Sequence, residues 1–199
     1  MQNLNVKQTI ELLEDLGITG ITEEMGNRIE NSWSSIPEEV RPSLNIVAML
    51  LSEIGGGHHD FQTGEWTPIS NKVYSFDVEV FDVGNMYRLF FQGIQSISEG
   101  EFEITDVVDN AEEVDWENGS GVRKINFCFN QKPYYFEAKM MYDWFDVRLL
   151  GYMNEVLEKE GNPKRFYMMS DGYQEVMLFY CNEFWAKRFE KATGCKIEF

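Results

Sequence analysis

Histidine occurs twice, cysteine three times and proline five times in 199 residues, and basic residues number only 17 against 34 acidic ones. Three cysteines are too few and too odd in number for a disulfide framework. Cys128 within Phe127-Cys-Phe129, Cys181 after Phe179-Tyr180 and Cys195 after Gly194 read as reduced, buried thiols, with a Cys181–Cys195 bridge as the alternative. The longest uninterrupted apolar runs are six residues, Ile46 to Leu51 and Val176 to Cys181, and a membrane-spanning helix needs ~20. The opening Met1 to Gln8 is polar and lacks an apolar signal core, which predicts a soluble, cytoplasmic protein. Lys and Arg are scattered, the closest sets being the dipeptides Arg123-Lys124, Lys164-Arg165 and Lys187-Arg188. Nucleic-acid binding needs a concentration of cations to displace phosphate counterions, so neither nucleic acid nor an anionic membrane is an expected partner. Gly-x-Ser-x-Gly, a Walker loop, His-Glu-x-x-His and paired Cys-x-x-Cys are all absent. No catalytic residue is assigned and no cofactor is expected.

What the chain does have is apolar and aromatic content, 43% and 15%, enough to exclude disorder despite a net charge of −17. The length suits one domain, 1–199, that buries ~70% of the unfolded chain's surface. Residues 1–57 read as a helical part. Asn5 caps a first helix with Gln8 answering it, and Val6, Ile10, Leu13 and Leu16 form its stripe up to Gly17. Thr22 caps a second, with Met25, Ile29 and Trp33 on one face, and a third runs from about Ser43 to Ile54. Residues 55–70 form a Gly-rich connecting loop. From 71 to 199 the pattern is α+β: strands near Tyr74–Val80, Glu101–Thr105, Val122–Phe129, Tyr134–Met141, Arg165–Met169 and Glu175–Tyr180, with helices near 85–98, 144–160 and 183–193. Asn118-Gly119 predicts a two-residue hairpin turn that sets Glu113 opposite Lys124. Asp143 is the expected cap of the helix from Trp144, and Asn182 that of the last helix, with Trp185, Phe189 and Ala192 inward. The fold class is therefore α+β: the N-terminal helical part packed on a mainly antiparallel sheet with flanking helices.

Charge is concentrated. Residues 99–117 hold nine acidic and no basic residues, whereas 118–199 hold 11 acidic and 12 basic ones. Glu99, Glu101 and Glu103 alternate, as do Glu113, Asp115 and Glu117, and strand periodicity would put each trio on one face. With Asp106, Asp109 and Glu112 they form a candidate acidic binding face. Trp116 is its first aromatic anchor and Trp66 the second. A basic protein is the partner such a field would steer in. The alternative is a metal-dependent hydrolase or small-ligand-binding protein using the loop 55–66. His58, His59 and Asp60 are its candidate metal ligands, although neighbouring residues rarely converge on one ion. A ligand pocket between the helical part and the sheet would be lined by Trp33, Phe90 and Trp144.

From Gln174 to Gly194 the order is apolar strand, Asn cap, Trp-bearing helix, Gly stop. With the acidic α+β body, this resembles small bacterial proteins of unassigned function and, in general character, the immunity proteins of polymorphic and contact-dependent toxin systems. The resemblance implies binding without catalysis, with a basic toxin as partner. It carries no family-specific motif, so it assigns no functional residue.

Overall fold

The computed structural model describes residues 5–41, 44–60, 62–63 and 65–199. The Asn5 side chain accepts from the Gln8 N–H while the Gln8 side chain accepts from Asn5 N–H, the expected capping box, and opens α1 (Val6–Asp15). Thr22 caps α2 (Glu23–Ser35) through the Met25 N–H. Helix α3 (Ile46–Gly55) begins later than expected because Asn45 caps it on the Val47 N–H. Ser43, the expected start, lies outside the described residues. The Gly-rich stretch is more than a loop: β1 (His58–Asp60) and β2 (Glu65–Thr67) pair antiparallel within it.

Strand β3 (Tyr74–Asp77) leads through a loop to α4 (Met86–Ser96). Then come β4 (Ile104–Asp115), β5 (Ser120–Phe129), β6 (Lys132–Lys139), α5 (Arg148–Lys159), β7 (Arg165–Ser170), β8 (Glu175–Cys181) and α6 (Glu183–Thr193). Asn182 caps α6 on the Trp185 N–H, and Gly194, at φ +73°, ends it. Its buried residues are Ala186 and Phe189; Ala192 is exposed, contrary to expectation. Asp143 does not cap α5 either. Residues 144–147 are not helical, because Trp144 forms a β-bridge with Glu79. The helix starts at Arg148, whose N–H is accepted by Asp146.

Two three-stranded antiparallel sheets, ordered β3-β8-β7 and β4-β5-β6, make the chain α+β. Six consecutive residues of β8, Val176 to Cys181, are buried. Successive side chains point to opposite faces. Leu178 and Tyr180 join Tyr74 and Phe166 in a core shared with α4, α5 and the inner face of β4-β5-β6. Met177, Phe179 and Cys181 join Tyr167 and Met169 in a second core, shared with α1, α2, α3 and α6. An apolar run without alternation therefore marks a strand covered on both sides. All three cysteines are free thiols.

Of the two hairpins of β4-β5-β6, only β4–β5 differs from expectation. Phe129 faces Lys132, so Asn130-Gln131 is the two-residue turn, with φ +48° and +66°. Asn118-Gly119 instead belongs to a four-residue turn, since Asp115 pairs with Ser120. Register then shifts between Asn110 and Glu113 and again between Thr105 and Val108. Each bulge adds a residue to β4. Glu113 consequently faces Val122 rather than Lys124, although the Lys124 ammonium still reaches it.

Candidate functional site

The first acidic trio does not lie on a strand. Glu99 (φ +56°) and Gly100 (φ +77°) turn the chain after α4, and β4 begins only at Ile104. Two lysines distant in sequence close on this turn: Lys72 and Lys164 both pair with Glu99, and Lys164 also with Glu101 at 2.5 Å. Their hydrogen bonds, that of Lys72 foremost, hold the Glu99 carboxyl below the usual range. The Tyr180 hydroxyl donates to Glu101 at 3.0 Å, and its ring lies 4.9 Å from the Lys164 ammonium. A polar cleft of about 140 Å³ beside these lysines has Cys181 in its wall. Burial pushes that thiol up to about 12, so it remains protonated at neutral pH and is no nucleophile.

The second trio is dispersed by the bulges and the turn. Asp115 accepts from the N–H groups of Glu117 and Asn118 at 3.2 and 3.1 Å and from the Asn118 amide at 2.8 Å. The Asn118 side chain and backbone lower its pKa. Glu113 is taken by Lys124. Asp109 turns inward and pairs with Arg123, which is 2% exposed. The expected single face is thus divided. Glu99, Glu101, Asp109 and Glu113 are ion-paired. Glu103, Asp106, Glu112, Asp115 and Glu117 have no Lys or Arg partner among the described residues. Asp106, Glu112 and Asp115 lie on β4, an edge strand, with Glu103 just before it and Glu117 just after it.

The Arg123 cluster went unread in the sequence. Its Nε donates to Asp109 Oδ1 at 3.0 Å and its Nη1 to the Val83 carbonyl at 2.7 Å. The guanidinium stands 5.0 Å from the Tyr87 ring centre and 5.9 Å from that of Trp116. Burial pushes the pKa of the Tyr87 hydroxyl up to about 12, against a smaller lowering by the Asp146 backbone. A signal was available: Arg123 shares strand parity with Ile125, Phe127 and Phe129, all buried. A cation on an apolar face demands a carboxylate.

The other candidates do not assemble. His58 and His59 are neighbours on β1, so their side chains leave from opposite faces. The Asp60 carboxylate accepts from the Gln62 and Thr63 N–H groups, which lower its pKa. Among the described residues no three His, Cys, Asp or Glu are placed to hold a metal. Trp66 is anchored inward, its indole N–H donating to the Gly56 carbonyl at 2.7 Å. Trp33 packs against the second core, Phe90 lies in the first and Trp144 is exposed, so these three line no common pocket. No described helix is long and apolar enough to cross a membrane. No family model matches the chain, and neither does any curated protein or solved structure.

Proposed function

We propose that this chain is a protein-binding module that engages a basic protein through the free edge of β4, in the manner of an immunity protein that neutralises a basic toxin. The observation that carries the reading is the row of unpaired carboxylates Glu103, Asp106, Glu112, Asp115 and Glu117 along that edge, ending at Trp116, which is 55% exposed. In a protein with twice as many acids as bases, spare carboxylates are common, but here three lie on one strand and the other two at its ends. Such a field speeds encounter with a cationic surface by ~10–10³-fold. The test is capture of partners by wild type and by a Glu112→Gln/Glu117→Gln variant, at ~50 and ~500 mM salt. A partner lost at high salt and weakened by neutralisation supports the reading; one indifferent to both overturns it.

A second reading rests on the groove between the β1–β2 hairpin and α4. About 430 Å³ in volume, it is lined by Glu65, Trp66, Thr67, Arg88 and Gln92. Arg88 has no carboxylate partner among the described residues, and its Nε bonds only to Asn85. A small ligand bearing a carboxylate or phosphate would suit it, and Arg88→Ala would abolish the ligand's thermal stabilisation of the protein.

A further inference from the structure

Among the described residues large apolar side chains are exposed at twelve positions, and seven of them fall in four short segments that hydrogen bonds bring together. The Val80 N–H donates to the Asp143 carbonyl and the Phe145 N–H to the Val78 carbonyl, each at 2.7 Å, on either side of the Glu79–Trp144 bridge. Two residues beyond the bridge the two segments reach Phe81 and Tyr142. The Tyr142 N–H donates to the Gly119 carbonyl, which joins the β4–β5 turn, and the Val78 N–H donates to Gln174, which joins the turn bearing Tyr173. Phe81 is fully exposed, Tyr173 76%, Tyr142 61%, Trp116 55% and Trp144 39%.

Two of these rings, those of Tyr142 and Trp116, are held before any partner arrives. Tyr142 sits at φ +56°, rare for a residue with a Cβ. Its ring lies against Gly119, where an added Cβ would come within 2.2 Å of it. Trp116 rests over the Arg123 guanidinium, itself fixed by Asp109 and the Val83 carbonyl. Anchors already ordered lose little freedom on binding. Around them stand Glu79, Asp82, Asp115, Glu117 and Asp143, none ion-paired to Lys or Arg among the described residues. Of the neighbouring cations, Arg123 and Arg148 are engaged by Asp109 and Asp146, and Lys139, three residues before Tyr142, is exposed without a carboxylate partner among the described residues.

We infer that this aromatic end is the docking face, and that its occupant is a cationic, amphipathic segment of a partner protein. Apolar residues of that segment would cover the rings, while its Arg and Lys side chains meet the carboxylate rim and stack on the rings. The inference rests on the reading of the chain as a binder of a basic protein and specifies where that protein sits. Charge decides among occupants. A second copy of the same face would oppose one acidic rim to another, and anionic lipid would be repelled.

The test titrates the full chain with a synthetic amphipathic Leu/Arg peptide and with a Ser/Arg peptide of equal charge, at ~50 and ~300 mM salt. The Leu/Arg peptide should bind more tightly than the Ser/Arg peptide and weaken with salt. Phe81→Ala/Trp116→Ala should weaken it by ~30-fold, the scale of a lost hot spot. Unchanged affinity in that variant overturns the inference. So does a wild-type dimer that the variant dissociates, or binding to vesicles of anionic lipid that the variant loses. If the rings are dispensable while Glu103→Gln/Asp106→Asn/Glu112→Gln abolishes binding, the docking face is wrong and the β4-edge reading stands. If neither peptide binds at low salt, both fall.

Discussion

Sheet β4-β5-β6 contains one hairpin that keeps register through eight consecutive pairs, from Val122–Lys139 to Phe129–Lys132, and one that slips twice within a 12-residue strand. In the regular hairpin the turn is local chemistry: Asn130 and Gln131 adopt the two positive φ angles of a type I′ turn. In the irregular one the shape depends on groups far away in the chain. Arg123 ties β4 to the 78–85 loop, Tyr142 covers Gly119, and Asp146 receives the Lys139 N–H as well as that of Arg148. Where a strand's path is set from a distance, its exposed side chains are positioned by the fold rather than by their own periodicity. That arm carries the acidic edge and Trp116, one ring of the aromatic end.

The largest expected effect breaks the tie at Arg123. Arg123→Leu leaves Asp109 without its partner and should cost ~3–5 kcal/mol by urea denaturation, most of it regained in the Arg123→Leu/Asp109→Leu double variant. Next comes Gly119→Ala, which forces a Cβ into the Tyr142 ring at φ +60° and should cost about 2–3 kcal/mol. Gly172→Ala separates the two contributions, since at φ +92° it has open space around it and should lose only ~1 kcal/mol.

A smaller effect appears on acidification. Burial pushes the Asp146 carboxyl up, but Arg148 and the N–H groups of Lys139 and Arg148 outweigh it and bring its pKa below the ordinary 3.8. A depressed folded-state pKa contributes stability that is present above the unfolded value and is lost as pH falls through the folded one. Stability measured below that ordinary value should therefore fall less steeply in Asp146→Asn than in wild type. The smallest effect sharpens the comparison from the regular side. Gln131→Gly relieves a positive φ and should raise stability by ~0.5 kcal/mol, the strain relieved slightly exceeding the entropy lost.

Much of the fold was legible wherever a short-range rule sufficed. The Asn5–Gln8 box, the Thr22 and Asn182 caps and the apolar stretch of β8 all needed only neighbouring residues. The misreadings share another cause. Asp143 is a good cap by sequence, but the Glu79–Trp144 bridge, which a helix from Trp144 would forbid, delays α5 to Arg148. Asn118-Gly119 is the stronger type I′ signal by composition, yet the Tyr142 ring and the pairing of Asp115 with Ser120 select the longer turn. The acidic segment was visible as charge but not as geometry. Lys72 and Lys164, which neutralise its first part, lie 27 and 65 residues from Glu99. Trp116 was named as an anchor from its place among carboxylates; Phe81 and Tyr142 were not, since nothing local marks either as a neighbour of Trp116.

Strand β8 acts as a party wall between two oil-filled rooms. Phe179 and Tyr180 are consecutive, yet one helps fill the interior beneath the N-terminal helices and the other the interior beneath α4 and α5. A change of volume at either is felt through a common backbone by the opposite interior, because close-packed cores transmit strain. Nor can the N-terminal helices peel away cheaply, for doing so would bare Met177 and Phe179 to water. The two interiors thus share the burial of one strand, and the aromatic end is tied to the turn leading into that strand through the Val78 N–H and its bond to Gln174.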